Sequence, residues 1–360
     1  MTTPNLHPRL RHGAIGIWLL FSLVALSGPA TGRAQNTLPA ALSDREFWAL
    51  TEQFSEPDGF FRSNSGSSDN LLSNETLMGN VATAVTERVK PSGVYLGVGP
   101  EQNFTYIAAT RPAIAFVTDI RRGNLHLHLL YKALFELSAD RVDFVARLFS
   151  RTRPAGLTNT ASASQLMTAF LRAEPLDEAQ FAANLKAVTD RLTRTRSLPL
   201  QTDDLAGIEY VYRHFHRFGP GINYTSSITG QSGTGSTYAV IMGLTGAGGE
   251  ERSYLANDAN FTFVKSMQAK NLIVPVVGDF AGVKALRALG AYLKERGAIV
   301  SAFYVSNVES YLERNGVWQR FCANVAAMPL DAASVFIRPG EGQARVFGPM
   351  VAETAACSGN

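Results

Sequence analysis

The chain has 360 residues, with 33 Lys+Arg against 30 Asp+Glu and 46% hydrophobic residues, the composition of an ordinary globular protein. The first 34 residues hold three arginines and no acid, so the remainder carries 30 charges of each sign and is near neutral. Such a balance lacks the basic footprint of a nucleic-acid or anionic-membrane binder, and the expected partner is a small-molecule ligand.

In chain order, Arg9 and Arg11 precede Ala14–Leu26, an apolar run of 13 residues that is short for a bilayer span. Ser27–Ala34 is small and turn-forming, and Gly32-Arg33-Ala34 suits a signal peptidase. Residues 1–34 read as a secretory signal peptide, the alternative being an uncleaved anchor. No cysteine follows the run, so it is not a lipoprotein signal. Cleavage leaves about 326 residues outside the cytoplasm, periplasmic or extracellular, with no further membrane attachment.

Ser43 and Glu46 form a capping box, with Phe47, Trp48, Leu50 and Phe54 at helical spacing behind it. A second helix, capped by Ser73 or Asn74, shows the apolar row Leu77, Val81, Val85, Val89. Val94–Val98 and Ala113–Thr118 read as buried strands, and Asn103–Thr110 as the helix between them. Asn124 is expected to cap an apolar helix reaching Leu137. Four helical patterns follow, with two glycine-rich loops. Alternation then resumes with strand Leu272–Gly278, helix Gly282–Arg296, strand Ala298–Val305 and a helix from Asn307. Ser334–Arg338 and Ala344–Phe347 suit final strands.

This order predicts an α/β fold with a doubly wound Rossmann-like sheet. N-terminal helices and a polar loop occupy 35–92. The Rossmann-like domain runs over 93–350, with a helical insertion near 139–270. A tail follows at 351–360. Cys322 and Cys357 are the two cysteines. In an exported chain they can form one disulfide, or stay as free thiols.

The most informative segment is Ser92–Asn103. Gly97-Val98-Gly99 turns the chain from strand to helix, and glycine permits both the turn and close approach of a ligand. Glu101 and Asn103 stand at the mouth of that helix, whose N-terminus is expected to present N–H groups. Asp119 lies 20 residues past Gly99 at the end of the next strand, where a carboxylate can accept ribose hydroxyls. The third glycine of a dinucleotide fingerprint is absent. That disfavours a pyrophosphate cofactor and suits an adenosyl one.

Asp279, Ser306 and Asn307 follow later strands, so a doubly wound sheet turns them toward the same crevice. Asp279 and Asn307 are candidates for positioning or catalysis, and both also suit helix N-caps. Asp69, Asn70, Asn74 and Glu75 suit a loop folded over the crevice. Two His-x-His pairs, His126/His128 and His214/His216, lie on expected helices. Residues two apart there point about 200° apart, so neither pair chelates one ion and no metal is expected. No serine-hydrolase elbow, phosphate loop or zinc-protease motif occurs.

Val94–Asn103 with Asp119 resembles the first two motifs of class I S-adenosylmethionine-dependent methyltransferases. Ser68–Glu75, Tyr95–Phe104, Asp119–Arg122, Val274–Phe280 and Phe303–Glu309 more specifically resemble an uncharacterised bacterial family with a methyltransferase-like Rossmann fold. The resemblance spans roughly 45 to 340 and implies a methyltransferase-type sheet. It implies that Gly97 and Gly99 line the methionine part of S-adenosylmethionine and that Asp119 holds its ribose. The acidic residue usual before the first glycine is replaced by Tyr95-Leu96. The functional expectation is an exported methyltransferase-like protein. The alternative is a non-catalytic binding or interaction protein on the same scaffold.

Overall fold

The computed structural model describes residues 37–60, 69–226, 235–340 and 346–357. The expected signal peptide, the loop after Phe61 and part of the first glycine-rich loop lie outside the described residues.

Six strands form one sheet: β1 Val94–Gly97, β2 Ile114–Asp119, β3 Ile273–Val277, β4 Val300–Tyr304, β5 Val335–Ile337 and β6 Phe347–Pro349. Their spatial order is β3-β2-β1-β4-β5-β6. The first five are parallel, and β6 closes the edge antiparallel to β5. The strands β1, β2, β3 and β5 are buried along their whole length, as parallel strands covered on both faces should be. The chain runs from β1 outward to β2 and β3, then returns to place β4 on the other side of β1. That reversal makes the β1–β4 junction the switch point, where crevices open at the carboxyl ends of strands. The fold is therefore Rossmann-like, with a mixed but mostly parallel sheet.

Helix α1, Asp44–Phe54, carries the Ser43–Glu46 capping box and buries Phe47, Trp48, Leu50 and Phe54. The residues after it cover the open edge of β3: Ser55 Oγ accepts the Val277 N–H and the Glu56 N–H donates to the Val277 carbonyl. Helix α2, Met78–Arg88, begins later than expected, with Leu77 rather than Ser73 or Asn74 at its cap. Ser73 and Glu75 are instead drawn into the interior, where Ser73 N–H bonds Glu101 and Glu75 bonds tyrosines.

Helix α3, Gln102–Thr110, connects β1 to β2, and α4, Arg122–Leu137, follows β2. Asn124 does not cap α4; it sits buried in the first turn behind the N-cap Arg121. Helices α5 Arg141–Leu148, α6 Ala163–Leu171, α7 Glu178–Asp190, α8 Thr202–Phe218, α9 Tyr238–Met242 and α10 Asp258–Ala269 fill the expected insertion before β3. They bury a cluster of rings with α3 and α4, in which Phe104, Tyr131, Phe135, Phe144, Tyr254 and Phe261 meet edge-on or stacked. Such ring pairs add about 0.5–1.5 kcal/mol each beyond their burial.

Helix α11, Ala285–Glu295, starts three residues later than its sequence pattern suggests. Glu56 is the cause. Its carboxylate accepts from the N–H groups of Asp279, Lys284 and Ala285, which holds 279–284 as a loop. Helices α12 Val308–Arg314 and α13 Trp318–Ala326 follow β4. The expected C-terminal tail is instead a helix, Met350–Cys357, tied to α13 by a Cys322–Cys357 disulfide. Among the described residues, no helix is long and apolar enough to cross a membrane.

Candidate functional site

A crevice of about 580 Å³ opens over the carboxyl ends of β1, β2, β3 and β4. Its walls include Gly99 after β1, Asp119 at the end of β2, Asp279 after β3, and Ser306 with Asn307 after β4. Asn70, Asn74 and Glu75 cover it from the segment before α2. Eight of the residues singled out in the sequence thus share one cavity. Gly97, Glu101, Asn103 and Asp69 are not on its walls.

The glycine turn explains why. Gly99 has φ +78°, a conformation that favours glycine. Gly97 serves a different purpose: a Cβ there would stand 1.9 Å from Asn103 Oδ1. The Asn103 side chain fills that space and knits the turn from inside. Its Nδ2 donates to the carbonyls of Val98, Gly99 and Pro100 at 2.8–3.1 Å, and its Oδ1 accepts from the Tyr95 hydroxyl at 2.9 Å. Gly97 and Asn103 therefore build the turn from behind the cavity wall.

His128 supports the same turn from α4, its Nε2 lying 2.9 Å from the Gly99 carbonyl. A carbonyl only accepts, so Nε2 carries the proton. Burial pulls the imidazole down to about 4 and keeps it neutral. The helix mouth offers fewer free N–H groups than expected. Pro100 has no N–H, and the N–H groups of Asn103 and Phe104 are bonded to Pro100 and Glu101 carbonyls. Glu101 is fully buried there and accepts the Ser73 N–H at 3.2 Å on both oxygens. Burial pushes its carboxyl up to about 8.

Asp119 is 5% exposed and held by Arg121. Its Oδ1 accepts from Arg121 N at 2.9 Å and Nε at 3.2 Å, and its Oδ2 from Nη2 at 3.3 Å. A carboxylate offers about four lone-pair sites, so one remains on Oδ2. Arg121 Nη1 also reaches the Asp69 carbonyl at 2.6 Å and ties the covering loop to β2. The Asp69 carboxylate turns away, accepting the Tyr210 hydroxyl at 2.7 Å.

Asp279 and Asn307 do not cap helices through their side chains. Asp279 Oδ1 accepts the Ala281 N–H at 2.9 Å within its own loop. Asn307 stands before α12 without a side-chain cap bond and is exposed. Ser306, at φ +49°, presents its hydroxyl to Glu75 Oε1 at 2.9 Å.

Glu75 gathers further partners that the sequence did not single out: the Tyr304 hydroxyl on Oε1, and the Tyr106 hydroxyl on Oε2 at 3.3 Å. Burial raises its carboxyl, while the hydroxyl donors pull it down. Gln102, in the place of the missing fingerprint glycine, bridges Val98 O and the Tyr304 hydroxyl, both at 3.2 Å. Phe60, Tyr224 and Tyr311 add aromatic surface to the walls. Their one sequence signal was a position beside a loop or strand end.

The histidine pairs split as helical geometry requires. His126 bonds Asp204 and His128 bonds Gly99 O; His214 bonds Tyr210 O and His216 bonds Leu176 O. Among the described residues no three His, Cys, Asp or Glu side chains converge as a metal site would need.

The family model described as Domain of unknown function (DUF7790) matches residues 71–198 and 243–353, about two thirds of the chain. The chain belongs to the DUF7790 family. The match takes in the glycine turn, Asp119 and every strand, and it passes over 199–242, where α8 and α9 lie. It carries no methyltransferase assignment, so the finer resemblance is not shown by it. No curated protein matches the chain. For this DUF7790 member the chemistry of the crevice is the guide to function.

Proposed function

We propose that this DUF7790 protein is exported and binds an adenosyl-type small ligand in the crevice, with S-adenosylmethionine the leading candidate. One observation carries the reading: the Gly99 turn and Asp119 end adjacent parallel strands and wall one cavity at the switch point of the sheet. The volume suits a ligand of that size, since small-molecule sites span about 300–1,000 Å³. Gly99 offers backbone without a Cβ, and the remaining lone pair on Asp119 Oδ2 suits one ribose hydroxyl. On the same walls, Asp279 and Asn307 would orient a second reactant in this reading. The bound cofactor would supply an electrophilic methyl group. The Cys322–Cys357 disulfide supports an oxidising compartment.

A non-catalytic binding role has its own support. Arg121 already occupies three of the four acceptor sites of Asp119, and Tyr95-Leu96 replaces the usual acid before the first glycine.

Calorimetry with S-adenosylmethionine, S-adenosylhomocysteine, NAD and NADP tests the reading. Adenosyl ligands are expected to bind at micromolar level. Asp119→Asn should weaken them by about tenfold or more; because it also breaks the buried pair with Arg121, the comparison is made at a temperature where the variant is shown to be folded. Equal affinity in the variant would remove the site assignment. Transfer of a methyl group to any acceptor separates the enzyme from the binding protein.

A further inference from the structure

At the β1–β4 end of the crevice a buried carboxylate keeps an acceptor site that no protein donor fills. Glu75, 8% exposed, lines the cavity and accepts from Tyr304 and Ser306 on Oε1 and from Tyr106 on Oε2. By the same lone-pair accounting, Oε2 keeps one open acceptor site. Gln102, 3% exposed, lines the same cavity. Both bonds of its Nε2 are used, on Val98 O and the Tyr304 hydroxyl, and its Oε1 has no partner. Because Val98 O can only accept, the amide cannot be turned the other way. Tyr304 gives its one proton to Glu75. The chain Gln102–Tyr304–Glu75 therefore leaves one open acceptor at the cavity, on Glu75, while Gln102 Oε1 is unpartnered but buried behind it.

The cations on the walls do not meet them. Arg121 is committed to Asp119, and Arg314 bonds the Ser310 carbonyl while lying over the Tyr311 ring. A buried acceptor without a donor is unfavourable, so the subsite is built for a group that brings donors.

We propose that this end of the crevice receives a protonated amine. An ammonium carries three N–H donors and a charge opposite to Glu75, whereas a hydroxyl brings one donor and no charge. The proposal rests on reading the crevice as a ligand site and adds the chemistry of its β1–β4 end. Two sources share that chemistry: the amino-acid end of an adenosyl ligand, or a separate amine substrate.

Two matched pairs distinguish them by calorimetry on the full chain. The first is S-adenosylhomocysteine against its des-amino analogue, which keeps the carboxylate. The second is putrescine against butane-1,4-diol. At least one amine is expected to bind about tenfold or more tighter than its partner, and Glu75→Gln should shrink that preference to within about twofold. The amide introduced by Glu75→Gln can still accept from Tyr304 and Ser306, so the variant is expected to melt normally. If it does not, Gln102→Met carries the same comparison. Discrimination in the first pair assigns the amine to the adenosyl ligand, and in the second to a separate substrate. No discrimination in either pair, or discrimination that survives Glu75→Gln in a folded protein, overturns the proposal. Failure of every adenosyl compound with putrescine still preferred over the diol would remove the adenosyl reading alone.

Discussion

Two buried groups beside the glycine turn titrate in opposite senses. An unfolded glutamate ionises near 4.5, while folded Glu101 holds its proton to about 8. Its stabilisation is complete below about 4.5 and is lost as pH rises through 8. His128 is the reverse, with a folded value of about 4 against 6.5, so its contribution is present above 6.5 and lost as pH falls through 4. Between 4.5 and 6.5 the two slopes oppose each other. From 6.5 to 8 the Glu101 slope stands without its opponent, and stability should fall by at most about 1.4 kcal/mol per pH unit. Glu101→Gln is expected to flatten that window in urea unfolding at pH 6.5 and pH 8. An unchanged decline would shift the cause to other groups. At this scale the placing of Gly99 and Asp119 beside one cavity was legible in the sequence because strand, turn and acid are neighbours in the chain. Gly97 is off the cavity walls, and its missing side chain makes room for Asn103.

Among the elements, the loop between β3 and α11 shows how a distant residue decides a local boundary. Glu56, just beyond α1, takes three N–H groups of that loop and fills the capping part for which Asp279 was one candidate. Removing it leaves those donors without their acceptor, at a cost of about 1–3 kcal/mol. Glu56→Ala should therefore lower stability by that amount and speed hydrogen exchange at the amides of 279–285. Exchange that stays slow would mean that the loop is held by other contacts. Nothing local marks Glu56 for this part, because its partners lie more than 220 residues away in the chain. The same holds for Gln102 and Tyr304, which bond across 202 residues. By contrast, the capping box of α1 was legible because both of its partners lie within one turn.

For the whole molecule, the C-terminal helix is held by one covalent and one ionic tie. The Cys322–Cys357 disulfide closes a sequence separation of 35. Arg338 pairs with both Glu309 of α12 and Glu353 of the terminal helix. Loop-closure entropy places the disulfide at about 4 kcal/mol. The double variant Cys322→Ser, Cys357→Ser should lose roughly that much in denaturant unfolding, and a loss below about 1 kcal/mol would show that Arg338 and packing suffice. By itself the sequence determined the five parallel strands, most helices and the turn that carries Gly99, since periodicity and turn chemistry act over a few residues. The last strand, expected at Ala344–Phe347, lies instead at Phe347–Pro349, where pairing with β5 sets it. The tertiary structure alone decided which strand lies beside which. Setting β4 against β1 brings Tyr304 and Ser306 onto Glu75 and leaves Gln102 with an unmet acceptor. Hydrogen-bond partners are settled by packing, and packing joins residues that the chain keeps far apart.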